Sequence, residues 1–518
     1  MQEPRLDYNG IEVTMRIVLS PDSRTPLYLQ IRSWFQERIE GGVLLPGTRL
    51  PATRALAAEL GVSRVTVANA YAELEAEGWV RPHVGRGTFV CDVGRRDGGV
   101  RETPYDWEST LLGPAGVSAS GMVADMLHLA QHPDLISFAM GAPATDLLPV
   151  RDFREAMNRV LRRDGGEALQ YDEAGGYRPL RAAIARLLGA EGIATRARDV
   201  LVTSGSQQGL DVAARVLTKP GDLVLTESPT YLGALDVFRA NGLRVVGVPV
   251  DEAGMTVDVL EETIRSRTPR LIYTIPEFQN PTGVTLSLER RRRLLELAAQ
   301  HDVVVLEDGV CSELRFEGVS VASLRALDGG ERVVYVNSFS KFLLPGIRVG
   351  YMVVPRRLRE RLTRGKQAAD LFTSSLMQRA LALYLDWGLL ADHLTTVREV
   401  YRKRRDAMMD GLARGMPTGT RWIRPEGGLC LWVTVPDPVS ASALYLSAID
   451  HGVAFALGSV FFPQDGGRSS LRLNFAAHQR PVIDEGLRRL GRAVAEQLHG
   501  RRTVLAASER LLEEGGKG

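Results

Sequence analysis

Apolar residues follow two different spacings along the chain. Near the N-terminus, residues 27–39 carry them at i, i+4, i+7 and i+8, which predicts an amphipathic helix that ends at the glycine pair that follows. Two further helices are predicted downstream: one begins with Thr53 as its N-cap and is closed by Gly61, and the other is capped by Ser63. From about residue 199 onward, short continuous apolar runs dominate instead.

A hairpin is predicted after the third helix. Alternating residues at 79–81 and 87–90, with Gly85-Arg86-Gly87 between them, are typical of two short antiparallel strands. Helices followed by a two-stranded wing have the order of a winged helix-turn-helix. We therefore assign residues 23–91 to such a domain and residues 1–22 to an N-terminal tail.

The longer part of the chain alternates apolar strands with helical segments. Residues 92–121 contain many glycines with little periodicity and are predicted to be a linker. The following region, 122–500, is predicted to be an α/β domain with a large parallel sheet and a smaller C-terminal subdomain beyond about residue 380. Its clearest continuous apolar strands lie at 199–203, 223–226, 271–274 and 303–306. Residues 501–518 are predicted to be a charged, glycine-rich tail.

The composition excludes several classes of protein. The chain has 518 residues, 44% hydrophobic and 24% charged, which excludes intrinsic disorder and is ample for a large buried core. Three widely separated cysteines exclude a disulfide framework and a zinc cluster of the usual spacing. The chain has no apolar run near the roughly 18 residues of a membrane span, and its charged N-terminal residues exclude a signal peptide. We therefore expect a cytoplasmic protein without membrane contact, and the net charge of +2 gives no strong indication of nucleic acid.

Lysine is scarce, which narrows the search for chemistry that needs an amine. Five of the 64 basic residues are lysines, an imbalance that genomic base composition explains. Lys341 follows a predicted strand, with Ser338 and Ser340 just before it and Arg348 seven residues after it. A lysine at a strand end can form a Schiff base with an aldehyde cofactor, and the two serines and the arginine can hold a phosphate. The alternative is a solvated loop lysine.

Polar residues also follow three other predicted strands. Residues 204–209, Ser-Gly-Ser-Gln-Gln-Gly, lie between a strand and a helix, where backbone N–H groups and the helix dipole can receive a phosphate. Asn280 follows a second strand, and the Glu307-Asp308 pair ends a third. Taken separately, the glycine-rich segment can equally be explained as a helix cap, and Asn280 can equally be explained as part of a plain turn. Together with Lys341, these groups predict a cofactor site at the carboxyl edge of a parallel sheet.

These motifs resemble those of known families. Residues 122–500 resemble the fold-type I pyridoxal-phosphate aminotransferases through the strand-end motifs above. Residues 27–90 resemble the GntR-family winged helix through Pro46-Gly-Thr-Arg-Leu-Pro51, Leu60-Gly-Val-Ser-Arg-Val-Thr-Val67 and Gly85-Arg-Gly-Thr-Phe-Val90. The two halves in this order resemble the MocR/GabR type of bacterial transcription regulator.

The aminotransferase resemblance implies a role for each site residue. Lys341 would carry the internal aldimine of pyridoxal 5'-phosphate, and Asp308 would pair with the pyridine nitrogen and make the ring an electron sink. Asn280 would hydrogen-bond the phenolic oxygen, and Tyr231 would stack on the ring unless it is a core aromatic. The phosphate would be bound by Gly205, Ser206, Gln207, Ser338, Ser340 and Arg348.

Two further roles concern the partner subunit and the ligand. Tyr171 would reach the phosphate held by the partner subunit of a homodimer. Arg472 corresponds to the arginine that grips the α-carboxylate of an amino acid as a bidentate fork.

The chain departs from the aminotransferase pattern at one place. The family usually carries a tyrosine two or three positions after the aspartate, and it donates to the phenolic oxygen of the cofactor. Here those positions are Val310 and Cys311. The loss of that donor is expected to change the aldimine pKa and to weaken transamination. Cys311 is either a reactive thiol or a small buried residue, and we favour the second.

The GntR-family resemblance implies the DNA contacts. Arg64 and Thr66 would lie at the front of the recognition helix in the major groove. Arg49 and Arg54 would contact phosphates or base edges, and Arg81 and Arg86 would serve the wing. Solvated surface arginines are the alternative for some of these positions.

The sequence thus favours a pyridoxal-phosphate-dependent transcription regulator. A small amino compound would form an external aldimine at Lys341, and the resulting conformational change would alter binding to a double-stranded DNA operator. A head-to-tail homodimer would read paired half-sites. The alternative is a genuine aminotransferase with an accessory DNA-binding domain, because Ile275-Pro-Glu-Phe-Gln-Asn-Pro281 resembles enzymes that act on 2-aminoadipate and aromatic amino acids. A cofactor-free scaffold is disfavoured by the complete set of site residues.

Overall fold

The chain divides into two compact units, Met1–Leu111 and Leu112–Gly518. The computed structural model describes residues 5–8, 11–14, 17, 19, 25–40, 43–83, 87–91 and 134–515, with the backbone alone at 5–14 and 500–515. The predicted linker at 92–121, the start of the predicted domain at 122–133, and Arg86 lie outside the described residues.

The described residues of the first unit form three helices and two pairs of antiparallel strands. The elements are β1 (Arg5–Tyr8), β2 (Ile11–Thr14), α1 (Leu27–Glu40), α2 (Thr53–Leu60), α3 (Arg64–Ala76), β3 (Val80–His83) and β4 (Gly87–Val90). Ile31 and Phe35 of α1 and Val67 and Leu74 of α3 are fully buried in one core, as the apolar spacing predicts. The predicted winged helix-turn-helix is therefore the observed fold.

The caps of α2 and α3 differ in how well the sequence predicts them. Ser63 caps α3, because its side chain accepts a hydrogen bond from the backbone N–H of Thr66. Gly61 ends α2 in the left-handed conformation that glycine adopts readily. The prediction that Thr53 caps α2 is wrong, because Thr53 is the first helical residue and Ala52 precedes it with no side-chain capping bond.

The second unit is built around a sheet of eight strands. The strands in the described part of this unit are β5 (Ile136–Ser137), β6 (Val200–Thr203), β7 (Leu223–Ser228), β8 (Arg244–Asp251), β9 (Gly254–Met255), β10 (Leu271–Thr274), β11 (Val304–Asp308), β12 (Val333–Ser338), β13 (Gly350–Val353), β14 (Arg421–Trp422), β15 (Cys430–Thr434), β16 (Val453–Ala454), β17 (Ala456–Leu457) and β18 (Ser470–Asn474). The large sheet has the order β6-β13-β12-β11-β10-β7-β8-β9.

Helices alternate with these strands in the described part of this unit. They are α4 (Val150–Asp164), α5 (Arg178–Ala190), α6 (Ser206–Leu217), α7 (Leu232–Ala240), α8 (Val257–Arg267), α9 (Leu288–Gln300), α10 (Leu324–Leu327), α11 (Arg359–Asp370), α12 (Ser375–Asp386), α13 (Leu389–Gly415), α14 (Ala441–Asp450) and α15 (Arg480–Gly515). The last helix continues into the segment that the sequence predicts as a tail. Within the described ranges, none of the helices has the length and apolarity that crossing a bilayer requires.

The large sheet is mixed rather than wholly parallel. Strands β8, β7, β10, β11 and β12 are parallel neighbours, whereas β13 runs antiparallel to β12 and β6. Eleven residues separate Ser338 from Gly350, and a parallel return needs a crossover of a dozen or more residues. The short connection therefore reverses the chain direction at β13.

Both faces of the large sheet are covered, as continuous apolar strands predict. Leu271 and Tyr273 of β10 pack into one hydrophobic cluster with α6 and α7, whereas Ile272 packs into another with α8 and α9. A separate antiparallel sheet, β14-β15-β18-β17, lies in the region where the sequence predicts a smaller subdomain.

Candidate functional site

The carboxyl ends of several strands bring the predicted polar groups to one place. The residues after β10, β11 and β12 include Asn280, Cys311 and Lys341, and these line one cavity together with Cys430 of β15. Asp308 is close enough to Lys341 for their charges to interact. The edge of the sheet therefore forms a site, as the strand-end pattern predicts.

Lys341 has the environment of a nucleophilic amine. Its Nζ donates a 2.8 Å hydrogen bond to the carbonyl oxygen of Gly141. Burial lowers the pKa of Lys341, because the charged ammonium loses its hydration. A lowered pKa increases the fraction of neutral amine, which is the form that attacks a carbonyl.

Asp308 is a buried carboxylate at the end of β11. It is 4% exposed, and it accepts hydrogen bonds from the Tyr273 hydroxyl at 2.9 Å and from the Val310 backbone N–H at 3.2 Å. Burial raises the pKa of Asp308 to about 6, although both hydrogen bonds and the Lys341 charge lower it. A carboxylate held in this way is suited to a cationic N–H group of a ligand.

Glu307 precedes Asp308 but serves another purpose. Its two carboxylate oxygens accept hydrogen bonds from the backbone N–H groups of Leu324 and Arg325, at 2.9 and 2.7 Å. It thereby caps the short helix α10 from the opposite face of the strand, since successive residues of a strand point to opposite sides. Of the Glu307-Asp308 pair, Asp308 alone belongs to the site.

The predicted phosphate-binding residues converge at the N-terminus of α6. Gly205 has a φ of +91°, and a Cβ at this position would collide with the guanidinium group of Arg348. Arg348 donates from Nη2 to the Ser204 carbonyl oxygen at 3.2 Å. Ser338 and Ser340 lie beside each other, with their hydroxyl oxygens 2.8 Å apart. A helix N-terminus, an arginine and two hydroxyls form an anion-binding arrangement.

Tyr231 and Gln207 meet at the border of this arrangement. The Tyr231 hydroxyl donates to Gln207 Oε1 at 3.2 Å, and Gln207 Nε2 donates to the Gly233 carbonyl oxygen at 2.7 Å. Burial raises the pKa of Tyr231 to about 12, so its hydroxyl stays protonated at neutral pH. Ser206 is the first residue of α6, so its backbone N–H is one of the donors that have no acceptor within the helix.

Arg472 lies on β18 and reaches the site from the smaller sheet. It is 7% exposed, and its guanidinium lies 4.8 Å from the centre of the Phe461 ring. It donates from Nη1 to Asn280 Oδ1 at 2.9 Å and from Nη2 to the Ala139 carbonyl oxygen at 2.6 Å. Its Nε is buried without a hydrogen-bond partner. A buried guanidinium with an unused donor is costly unless a ligand satisfies it.

Cys311 occupies the position where the family usually has a tyrosine. Burial raises its pKa to about 12, so the thiol stays protonated and is a poor nucleophile at neutral pH. Burial also raises the pKa of Cys430, which lines the same cavity. Cys311 is partly exposed and lines the cavity, and the raised pKa of its thiol disfavours its interpretation as a reactive thiol.

Tyr171 is the one predicted cofactor residue that stands apart from this site. It is 76% exposed, and its ring packs edge-to-face on Phe372 with 5.0 Å between the centres. Because its predicted partner is the phosphate of another subunit, its role stays a prediction.

The predicted DNA contacts that the structure describes lie on the surface of the first unit. Arg64 begins α3 and is exposed, and Thr66 follows two residues later with its hydroxyl 2.8 Å from that of Ser63. Arg54 in the first turn of α2, Arg81 on β3 and Arg49 beside β4 are also exposed. The arrangement leaves the N-terminal end of α3 accessible, as a recognition helix requires.

Sequence reasoning missed several groups that shape the site. Tyr273 donates to Asp308, and Gly141 accepts from Lys341. Tyr273 lies inside a buried strand, where it is indistinguishable from a core aromatic. Gly141 belongs to a segment 200 residues before Lys341, and its local sequence carries no signal of the contact.

Comparisons with known proteins show which families the chain is similar to. The model of the aminotransferase class I and II family matches residues 133–490, and that of the gntR family of bacterial regulatory proteins matches residues 27–90. The 2-aminoadipate transaminase of Thermus thermophilus is 41% identical over 76% of this chain and 98% of its own length. The probable rhizopine catabolism regulatory protein MocR of Rhizobium meliloti is 31% identical over 92% of this chain and 95% of its own.

A solved structure supports the fold of the second unit. LysN, an alpha-aminoadipate aminotransferase of Thermus thermophilus, was solved in complex with N-(5'-phosphopyridoxyl)-L-leucine. It matches with a TM-score of 0.70 and 39% identity, and the match covers 76% of this chain and 99% of that structure.

Proposed function

The chain belongs to the aminotransferase class I and II family and carries a gntR-family domain at its N-terminus, and we propose that it is a DNA-binding transcription regulator that senses an amino compound through pyridoxal phosphate. The observation that carries the proposal is the assembled site at the sheet edge, in a chain that also exposes the N-terminal end of α3. Regulator relatives such as MocR span both parts of the chain.

The residues of the site fit pyridoxal phosphate. When bound, the cofactor supplies an aldehyde that condenses with amines and a ring that withdraws electrons. Lys341 presents the amine, and Asp308 presents a carboxylate for the ring nitrogen. Gly205 leaves space beside Arg348, so that backbone N–H groups and the guanidinium can both face a phosphate.

The effector would be bound by Arg472. Its unsatisfied Nε and its two fixed terminal nitrogens suit a carboxylate, which accepts two parallel hydrogen bonds from a guanidinium. Asn280 holds Nη1 and thus orients the fork toward the site. The effector is therefore an amino compound with a carboxylate, which favours amino acids over simple amines.

Titration of the full-length protein tests the sensor. L-amino acids should shift the absorbance band of the bound cofactor at lower concentrations than the amines that lack their carboxylate. The Arg472→Ala variant should lose that difference while it keeps the cofactor. Equal responses to an amino acid and its amine in the wild-type protein would contradict the role of Arg472. If no amino compound shifts the band, the proposal that the protein senses an amino compound is wrong.

Binding to DNA is tested separately. The protein should bind its own upstream DNA at moderate salt, and the effector should change the affinity, which requires different effector affinities in two conformations. Failure to bind that DNA in a mobility-shift assay would contradict the proposal that the protein is a transcription regulator.

A second candidate is a genuine aminotransferase. It is favoured by the 41% identity to the 2-aminoadipate transaminase and by the complete set of site residues. Incubation with amino acids and 2-oxoglutarate distinguishes the two functions. Sustained turnover on the order of 1–10³ per second would make the protein an enzyme, because this is the ordinary range of enzymes.

A homodimer completes the proposal. Tyr171 and Leu371 are 76% and 61% exposed, and Phe372 packs against Tyr171, so these residues form an apolar surface that a second copy would cover. Tyr171 would then reach the phosphate bound by the partner subunit. Sedimentation equilibrium should give a dimer, and Leu371→Asp should weaken both association and cofactor binding. A monomeric wild-type protein that retains the cofactor would contradict this arrangement.

A further inference from the structure

An ion pair between a fully buried lysine and a partly exposed aspartate lies behind the predicted phosphate-binding loop. Lys366 and Asp370 are one turn apart on α11, and Lys366 Nζ lies 2.9 Å from Asp370 Oδ1. The Lys366 side chain is fully buried, and burial lowers its pKa, although the charge of Asp370 opposes this effect. A buried ammonium without a partner is costly, so the pair stabilises the position of both side chains.

The second oxygen of Asp370 is bonded to the loop itself. Asp370 Oδ2 accepts a hydrogen bond from the Ser204 hydroxyl at 2.9 Å, and the Thr373 hydroxyl lies 3.3 Å from that of Ser204. The Ser204 backbone N–H donates to Gln208 Oε1 at 2.8 Å. Ser204 is thus held at its side chain and at its backbone N–H.

The third polar group of Ser204 points to the phosphate-binding arginine. Its carbonyl oxygen accepts a hydrogen bond from Nη2 of Arg348 at 3.2 Å. A continuous path of contacts therefore runs from Lys366 through Asp370 and Ser204 to Arg348. Ser204 also directly precedes Gly205, whose positive φ aims the loop into the N-terminus of α6.

We infer that Asp370 is a positioning residue for the cofactor phosphate: it fixes Ser204 and, through the Ser204 carbonyl, the guanidinium of Arg348. This inference rests on the proposed function, because it presupposes that the loop binds the phosphate of pyridoxal phosphate. Asp370 does not bind the phosphate itself, since two anions repel each other. Lys366 balances the charge of Asp370, so that the carboxylate can orient the loop with little repulsion of the ligand.

The packing of α11 on α6 explains how the pair is held in place. The two helices contact each other, and a Cβ on Gly365 would collide with Val216 of α6. Glycine therefore permits the close approach that brings Asp370 to the residue before α6.

The test compares two ligands that differ in the phosphate. Full-length protein is freed of cofactor, and the dissociation constants of pyridoxal phosphate and of pyridoxal are measured by absorbance titration. Asp370→Ala should weaken pyridoxal phosphate about tenfold, or about 1.4 kcal/mol, and leave pyridoxal within about twofold. A purely structural role would weaken both ligands equally, so that result would overturn the inference.

Further variants show whether Asp370 acts through Ser204. Ser204→Ala should reproduce the tenfold loss, and the double variant should lose no more than either single variant, because coupled residues are not additive. Ser204→Ala leaves the ion pair intact, so it decides the matter even if Asp370→Ala does not fold. Glu360→Ala, which removes an exposed ion pair with Arg364 on the same helix, is the matched control and should change neither constant.

The outcomes separate this inference from the proposed function. A wild-type protein that does not bind pyridoxal phosphate would refute the cofactor site and with it this role of Asp370. A wild-type protein that binds it, with Ser204→Ala and Asp370→Ala unchanged, would refute the positioning role and leave the cofactor site standing.

Discussion

The two units hold their functional residues in opposite ways. In the second unit, Asp308 and Arg472 are buried and Lys341 is partly buried, and each is fixed by hydrogen bonds to neighbouring groups. In the first unit, Arg64 and Arg54 are exposed on helix ends. A small ligand must be enclosed and oriented, whereas a duplex must be met by a surface, so the two kinds of site need different degrees of burial.

This contrast also explains why the overall charge is uninformative. The net charge of the chain is +2, although a DNA-binding surface is positive locally. In the described part of the second unit, many arginines are paired with acids, as in the ion pairs of Arg405 with Glu317 and of Arg291 with Glu277. The charge that matters for DNA is therefore that of one small face.

The largest expected effect comes from replacing Lys341. Lys341→Ala should remove the visible absorbance band of the bound cofactor completely, because Lys341 supplies the amine that lies close enough to Asp308 for their charges to interact. The affinity for DNA in the absence of effector should stay unchanged, because Lys341 belongs to the second unit and the predicted DNA contacts belong to the first. Lys403→Ala, at an exposed lysine paired with Glu399, is the control. A band that survives in Lys341→Ala would refute the assignment.

The reciprocal prediction concerns Arg64. Arg64→Ala should weaken binding to the upstream DNA by about 1–3 kcal/mol, roughly 5- to 150-fold, because the residue would face base edges in the major groove. The absorbance band and its response to effector should not change. A mobility-shift titration at fixed salt measures the loss. Arg162→Ala, at an exposed arginine of the second unit, should bind DNA as the wild type does, and equal losses in both variants would contradict a specific contact.

A smaller effect is expected from the buried carboxyl of Asp308. Burial raises its pKa from 3.8 to about 6 in the cofactor-free protein, so the folded state binds the proton more tightly than the unfolded state. The contribution of Asp308 to stability is therefore lost as pH rises from about 4 to about 6. The stability of Asp308→Asn relative to wild type should rise over that range by about 1–3 kcal/mol.

Urea unfolding of the cofactor-free proteins at several pH values measures this change. Asp302→Asn makes the same substitution at a side chain that is 89% exposed and lies away from the site, and it serves as the control. A stability difference for Asp308→Asn that does not change with pH would mean that the carboxyl is not desolvated.

The sequence predicted those site residues that directly follow strands. It did not predict the contacts between residues that are far apart in the sequence. Lys341, Asn280 and Asp308 were predictable, because parallel strands place their carboxyl ends at one edge. Asp370 meets Ser204 across 166 residues, from the end of a helix whose local pattern is that of any surface helix. Such a contact depends on how α11 packs on α6, which sequence spacing does not encode.

The same limit applies to the fold. Apolar runs predicted the buried strands, but not the direction of β13, which follows from the short connection after Ser338. Ser63 was predicted as a cap and is one, whereas Thr53 has the same chemistry and lies one residue too late. A capping residue is recognisable by type, but its exact position depends on where tertiary packing begins the helix.

The last prediction tests whether Cys311 makes this site unlike that of the aminotransferases. Cys311→Tyr would place a hydroxyl donor in the cavity that Lys341 and Asn280 also line. A donor that bonds an anionic oxygen of the ligand stabilises the anion, so the pH midpoint of the absorbance band should fall by about one unit. Cys311→Phe adds the same ring without the hydroxyl and controls for its bulk. If the two variants shift the midpoint equally, volume rather than hydrogen bonding explains the change, and the missing donor does not distinguish a sensor from an enzyme.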